Sequence, residues 1–309
     1  MKQTVLAMMI LILAACAAPM PATVAGPVDK LAEIQARGTL VIATDVDYEP
    51  QSRLIPDSGP LADTKCEPTQ YTSNQLEGFD VEVARELARR LGVEPCFVTP
   101  PWSQLVAGNW GDNWDVHIGS VAITYERMKD LYFTQPYYAT PTVLLIHQTN
   151  ISYQVPEDLS GKRIGVCAGC TFEAYLQGTL ELPGETLQYR IQNAQAVAFE
   201  SEDPAIAALS LGDGVELDAV MTIMPKARAA IEAGHPVKLL DEPVLFAYAS
   251  ITLDRASRRD SRRMIEEING IIRDMHESKI LMRLSLQYHG LDYSQEAALY
   301  PIETLSQSP

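Results

Sequence analysis

Apolar residues in this chain follow two alternating periods. Leu31 and Ile34 recur at helical spacing between a capping Asp29 and a stopping Gly38. The compact apolar run at 39–44 is a buried-strand pattern that delivers Asp45, Asp47 and Tyr48 to its end, where open α/β sheets hold ligands; the alternative is that these are solvated loop residues. Val83, Leu87 and Leu91 line one face of a further helix, with Asp80 as its cap and Gly92 as its stop. Residues 51–76 show no period and read as an irregular excursion pinned by Cys66. Strands are expected at 94–99, 141–148, 163–166 and 217–221, then in three apolar pieces at 238–240, 244–246 and 249–253. Helices are expected after Thr171, where Phe172, Tyr175 and Leu176 share a side, and over 205–211. Residues 258–288 carry one long helical spacing. Helices alternating with short apolar strands define the α/β class.

Composition adds an address. At 309 residues the chain suits one large or two mid-sized domains, and its 47% apolar and 21% charged content is ordinary for a globular protein. A net charge of −16 argues against a nucleic-acid partner. Residues 1–15, with one lysine, an apolar run and small residues at the exit, read as an export signal. Leu13-Ala14-Ala15-Cys16 resembles a lipobox, which makes Cys16 the lipidated first residue of a mature protein and 16–28 its Pro- and Ala-rich tether. The protein is then held at the outer face of the cytoplasmic membrane or in the periplasm. Five cysteines minus Cys16 leave four, enough for two bridges in an oxidising compartment. Of three possible pairings, Cys66–Cys96 and Cys167–Cys170 are the ones expected. His and Cys show no cluster at ligand spacing, so neither a metal nor a cofactor is expected.

Candidate chemistry concentrates in residues 115–138. Gly119, Ser120, Val121 and Ala122 read as a small-residue turn with uncluttered N–H groups, and Thr124 as the cap of a short helix carrying Arg127. Arg127 has two readings: a surface arginine in weak ion pairs, or an anion clamp whose planar fork suits a carboxylate. Trp110 and Trp114 read as core, Trp102 as the aromatic wall of a cleft, and His117 as structural. A second anion site is expected at residues 167–171, where a strand meets a helix through small residues. The same C-x-x-C is also where a dithiol oxidoreductase keeps its reactive thiol, although export favours a structural bridge.

Taken in order, GTLVIATD, GFDVEVARELARRLG, AITYERMKDLYFTQPYY, LSGKRIGVCAGCT, LDAVM and SKILMRLSLQYHG resemble the successive landmarks of the family 3 extracellular solute-binding proteins, the polar amino-acid receptors of ABC importers. The resemblance implies a two-lobed, type II periplasmic-binding-protein-like fold with a two-strand hinge. The first lobe would be 29–139 plus 248–309 and the second 140–247, closing on a small solute with no cofactor, as a monomer that docks on a membrane permease. It places Asp45, Tyr48, Ser120, Ala122 and Arg127 on the first lobe's ligand contacts, with Arg127 on the α-carboxylate. Gly169, Cys170 and Thr171 fall on the second lobe's amide turn. Two positions depart from the pattern: Ala122 lacks the usual hydroxyl, and Ile223 stands where an acid usually receives the α-amine. Competing readings are a cyclohexadienyl dehydratase-like enzyme on the same scaffold and a thiol oxidoreductase acting through Cys167 and Cys170.

Overall fold

The computed structural model describes residues 26–306. The expected signal at 1–15 and the lipidated Cys16 lie outside the described residues, as does most of the tether. The first helix runs Lys30–Arg37: the Asp29 carboxylate accepts the Ala32 N–H at 3.2 Å, and Gly38 closes the helix in a left-handed conformation. Asp80 does not cap its helix. Phe79–Leu91 is entered through Gly78 at φ 134°, where a Cβ would lie 2.2 Å from the Gln51 carbonyl oxygen. Asp80 is instead turned inward and fully buried.

Among the described residues the main sheet has nine strands. Across the sheet they come in the order Gln195–Phe199, Arg163–Cys167, Ala219–Ile223, Leu131–His147 and Val237–Asp254. The sheet continues through Val116–Ala122, Thr39–Ala43, Glu94–Val98 and Tyr71–Thr72. The two long strands in the middle pair antiparallel and pass from one half of the molecule to the other. Each half has its own apolar core. Ile34, Ile42, Phe79, Leu87 and Ile268 pack in one, Ile164, Val166, Tyr175 and Met221 in the other. The result is the two-lobed α/β architecture with a hinge.

Two sequence readings change. The three apolar pieces between 238 and 253 are one strand, whose register slips between Leu240 and Leu245 and again after Ala249, and those slips interrupt the period. The stretch 258–288 is two helices, Arg262–Glu277 and Ile280–His289, separated at Lys279, which takes a positive φ of 58°. The excursion at 51–76 contributes a small sheet in which Ser52–Leu54 pairs between Asp47–Tyr48 and Leu76–Glu77. Both expected bridges form, and Cys66–Cys96 ties this excursion to the strand Glu94–Val98. Its 30-residue separation corresponds to about 3–4 kcal/mol of loop-closure stabilisation.

Candidate ligand-binding cleft

Where the halves face each other they leave a cleft, partly open to solvent. Asp45, Tyr48, Trp102, Ser120, Ala122, Arg127, Cys170 and Thr171 all line it. Gly169 sits just behind them. The two halves also touch directly, the Tyr125 N–H donating to the Glu181 carbonyl at 3.1 Å.

Arg127 is held at one end. The Thr124 hydroxyl accepts its backbone N–H at 3.1 Å and so starts the helical turn Arg127–Lys129, as the sequence predicts. The guanidinium donates to the Ala122 carbonyl at 3.1 Å and, across the cleft, to the Gly169 carbonyl at 3.2 Å. It also lies 5.3 Å over the Trp102 ring. The residue is only 9% exposed, and burial pulls its pKa down to about 10, so it stays charged at neutral pH. Among the described residues no carboxylate pairs with it or acts on it. The surface ion-pair reading is therefore wrong: this is a buried cation whose protein partners are neutral.

The two small-residue turns differ from expectation. Gly119 to Ala122 belong to the strand Val116–Ala122, and Ser120 kinks it with φ 58°. Its N–H is not free: it donates to the Tyr137 hydroxyl at 3.0 Å. Below it the buried Asp80 carboxylate accepts the Ser120 hydroxyl at 2.7 Å and the Tyr137 hydroxyl at 2.8 Å. Burial raises the Asp80 pKa to about 7 against those two bonds. At the second turn the Gly169 N–H is taken by the Glu173 carboxylate at 2.9 Å and the Cys170 N–H by the Cys167 carbonyl at 3.3 Å, which leaves Thr171, the first residue of the helix Thr171–Leu176, as the amide facing the cleft. Gly169 contributes its carbonyl to Arg127 instead.

His117 lies behind the kink, fully buried, with neither ring nitrogen hydrogen-bonded, and burial lowers its pKa to about 3. A Cβ at Gly119 would come within 2.6 Å of its Nε2, so the glycine is required by this ring. Trp110 and Trp114 are core, 3% and 7% exposed.

The other end of the cleft is acidic. Asp45 follows the strand Thr39–Ala43, holds the Asp47 N–H at 3.0 Å, and has its pKa raised by burial. Facing it from the second half is Glu202, which the sequence reading missed. The helix expected to begin at 205 begins three residues earlier, as Glu202–Ser210, and brings this carboxylate into the wall. The signal was present, since Ser201-Glu202-Asp203-Pro204 is a helix-start pattern of a cap, acids and proline. Glu202 is 3% exposed, accepts a hydrogen bond from the Thr222 hydroxyl at 3.2 Å, and is raised by burial to about 7. Ile223, next to Thr222, is buried and lines the cleft. Lys226 lies close by, its ammonium 2.6 Å from Asp203 and 5.9 Å over the Tyr48 ring.

The cleft thus holds a buried guanidinium with neutral partners and, apart from it, a set of acids. Residues 61–291 match the model of the bacterial extracellular solute-binding proteins, family 3. Among curated relatives, the L-cystine-binding protein TcyJ of Escherichia coli (strain K12) is 24% identical over 266 residues, covering 86% of this chain and 88% of that protein. The ABC transporter arginine-binding protein 1 of Escherichia coli (strain K12) is 25% identical over 218 residues, 70% of this chain and 83% of its own length. In structure, the ancestral amino acid-binding protein AncCDT-1, a precursor of cyclohexadienyl dehydratase, superposes with a TM-score of 0.67 at 23% identity. That match covers 84% of this chain and all of AncCDT-1. The chain is a binding protein rather than an enzyme. It belongs to the bacterial extracellular solute-binding proteins, family 3, and serves as the extracytoplasmic component of an ABC importer that binds a small amino-acid-like solute.

Proposed function

We propose that the chain binds a free amino acid, holding its α-carboxylate against Arg127, and presents the closed form to a membrane permease while a lipid on Cys16 tethers it as a monomer. The observation that carries the reading is Arg127 itself. A charged guanidinium buried in a cleft with carbonyls and a tryptophan face as its partners lacks a counter-ion, and a ligand carboxylate supplies one. Trp102 backs the same group, while Ser120, Ala122, Cys170 and Thr171 shape the walls around it. Tyr48 and Asp45 stand at the opposite end. We assign 29–139 plus 248–309 to one lobe and 140–247 to the other, with closure driven by a ligand that touches both. The relatives that bind L-cystine and arginine support an amino-acid ligand, and together with a histidine-binding relative they define the compounds to try.

The test is calorimetric titration with L-arginine, L-histidine and L-cystine. At least one is expected to bind, and Arg127→Ala is expected to weaken that binding by about 100-fold or more. If none binds, or if Arg127→Ala leaves affinity unchanged, the reading falls. Mass spectrometry of the mature N-terminus tests the lipid on Cys16.

A further inference from the structure

Ile223 leaves the cleft without an acid at the position where the family pattern expects one. A ligand ammonium set against this buried, apolar side chain would lose its hydration with nothing in return. The structure brings a carboxylate into the same cleft from a different segment. Glu202 enters from the first turn of the helix Glu202–Ser210 and is tied to Thr222, the residue immediately before Ile223. Among the described residues that bond from Thr222 is its side chain's one hydrogen bond. Lys226 is the nearest cation, but its ammonium is engaged by Asp203 at 2.6 Å. Across the cleft Asp45 faces the same space from the first half.

Resting on the reading of Arg127 as the carboxylate clamp, we propose that Glu202 is the specificity residue for the ligand's α-ammonium, receiving it together with Asp45 and replacing the acid absent at Ile223. The ligand class is therefore an α-amino acid rather than a simple carboxylic acid. Two oppositely charged anchors, one at each end of the cleft, also fix which way round the ligand lies. Because Asp45 and Glu202 belong to different halves, an ammonium between them links the walls and favours the closed form.

Binding is coupled to a proton. Glu202 faces Lys226 from the helix Met224–Glu232, Asp203 on its own helix, and Asp45 and Tyr48 from the opposite wall, with Tyr138 beyond. Burial outweighs Lys226, so Glu202 holds its proton up to about pH 7. An arriving ammonium favours the ionised form, so below that pH the proton leaves as the ligand enters.

The experiment titrates wild type and Glu202→Gln with L-arginine, L-histidine and L-cystine, each beside the same compound lacking its α-amino group, in buffers of different ionisation heat at about pH 6. Wild type is expected to prefer the amino form and to release protons on binding it. Glu202→Gln is expected to bind the amino form about 10- to 100-fold more weakly, to bind the desamino form within about twofold of wild type, and to lose the Glu202 share of proton release. Melting curves confirm that the variant is folded; Gln keeps the shape and can still accept from Thr222. If the variant keeps both the amino preference and the proton release, Glu202 is not the anchor and the Arg127 reading stands. If wild type prefers the desamino forms, the ammonium proposal is overturned while carboxylate binding remains. If wild type binds none of the compounds, the amino-acid reading and this proposal fall together.

Discussion

The two ends of the cleft are both buried and both charged, yet they handle charge differently. At one end Arg127 is surrounded by neutral groups, the Ala122 and Gly169 carbonyls and the Trp102 ring, and remains a cation at any ordinary pH. At the other end Glu202 sits beside its own positive neighbour Lys226 and still gains and loses a proton near neutrality, as does Asp80 beneath the Ser120 kink. Guanidinium is hard to neutralise, so burial makes Arg127 hungry for an anion instead of discharging it. A carboxyl in a similar setting escapes by taking up a proton. One end is a constant and the other a variable.

A large effect is expected from breaking the constant end without removing its charge. Arg127→Lys keeps a cation but loses the planar fork that reaches two carbonyls and a ligand carboxylate at once, and affinity for the amino acid is expected to fall by about 10- to 100-fold in the same titration. A smaller effect belongs to the carboxyl beneath the Ser120 kink. The Asp80 carboxyl goes from an ordinary 3.8 to about 7 in the folded protein, so the fold holds its proton more tightly than the unfolded chain does. That contribution to stability is complete below about pH 4 and is lost as the pH rises towards about 7. Glu202 acts in the same direction. Melting temperature measured between about pH 5 and pH 8 is expected to fall less steeply in Asp80→Asn than in wild type; an unchanged slope would remove Asp80 from the account. The smallest effect on the cleft is expected from a change remote from both ends. Replacing Cys66 and Cys96 with serine is expected to cost about 3 kcal/mol of stability, read as a lower melting temperature, with ligand affinity unchanged within about twofold.

The part of the constant end formed by Thr124 and Arg127 was legible in the sequence because it is local, lying with the strand before it within a dozen residues, whereas Trp102 and Gly169 join it from elsewhere; counting cysteines left three pairings, of which the expected one forms. The variable end was not legible, since it forms when Asp45, Glu202 and the pair Thr222 and Lys226 meet from three separate segments. Asp80 shows the limit most clearly. A short acid after a glycine at a helix start has the pattern of a cap, and nothing in its neighbours reveals that Gly78 makes the turn and frees the carboxylate for Ser120 and Tyr137, 40 and 57 residues away. Ser120 was named correctly as a cleft residue but for the wrong reason: its backbone N–H is spent on Tyr137, and its hydroxyl is held by Asp80. The long strands escaped detection because slipped register breaks the alternation on which strand reading depends.

Those two strands have a mechanical meaning. Ala219–Ile223 stops pairing at Thr142, and Val116–Ala122 reaches only Ala249, so at residues 140–141 and 246–247 the sheet narrows to a bare two-stranded ribbon. A ribbon this narrow is a torsion spring: it twists more readily than a wide sheet and need not give up its ladder bonds in doing so. Opening the cleft then amounts to winding one spring, with each apolar core riding on it as a lever arm. Stiffening or loosening that ribbon on the side away from the ligand alters how much of the binding energy is spent on rotation, and so retunes apparent affinity without touching either charged end.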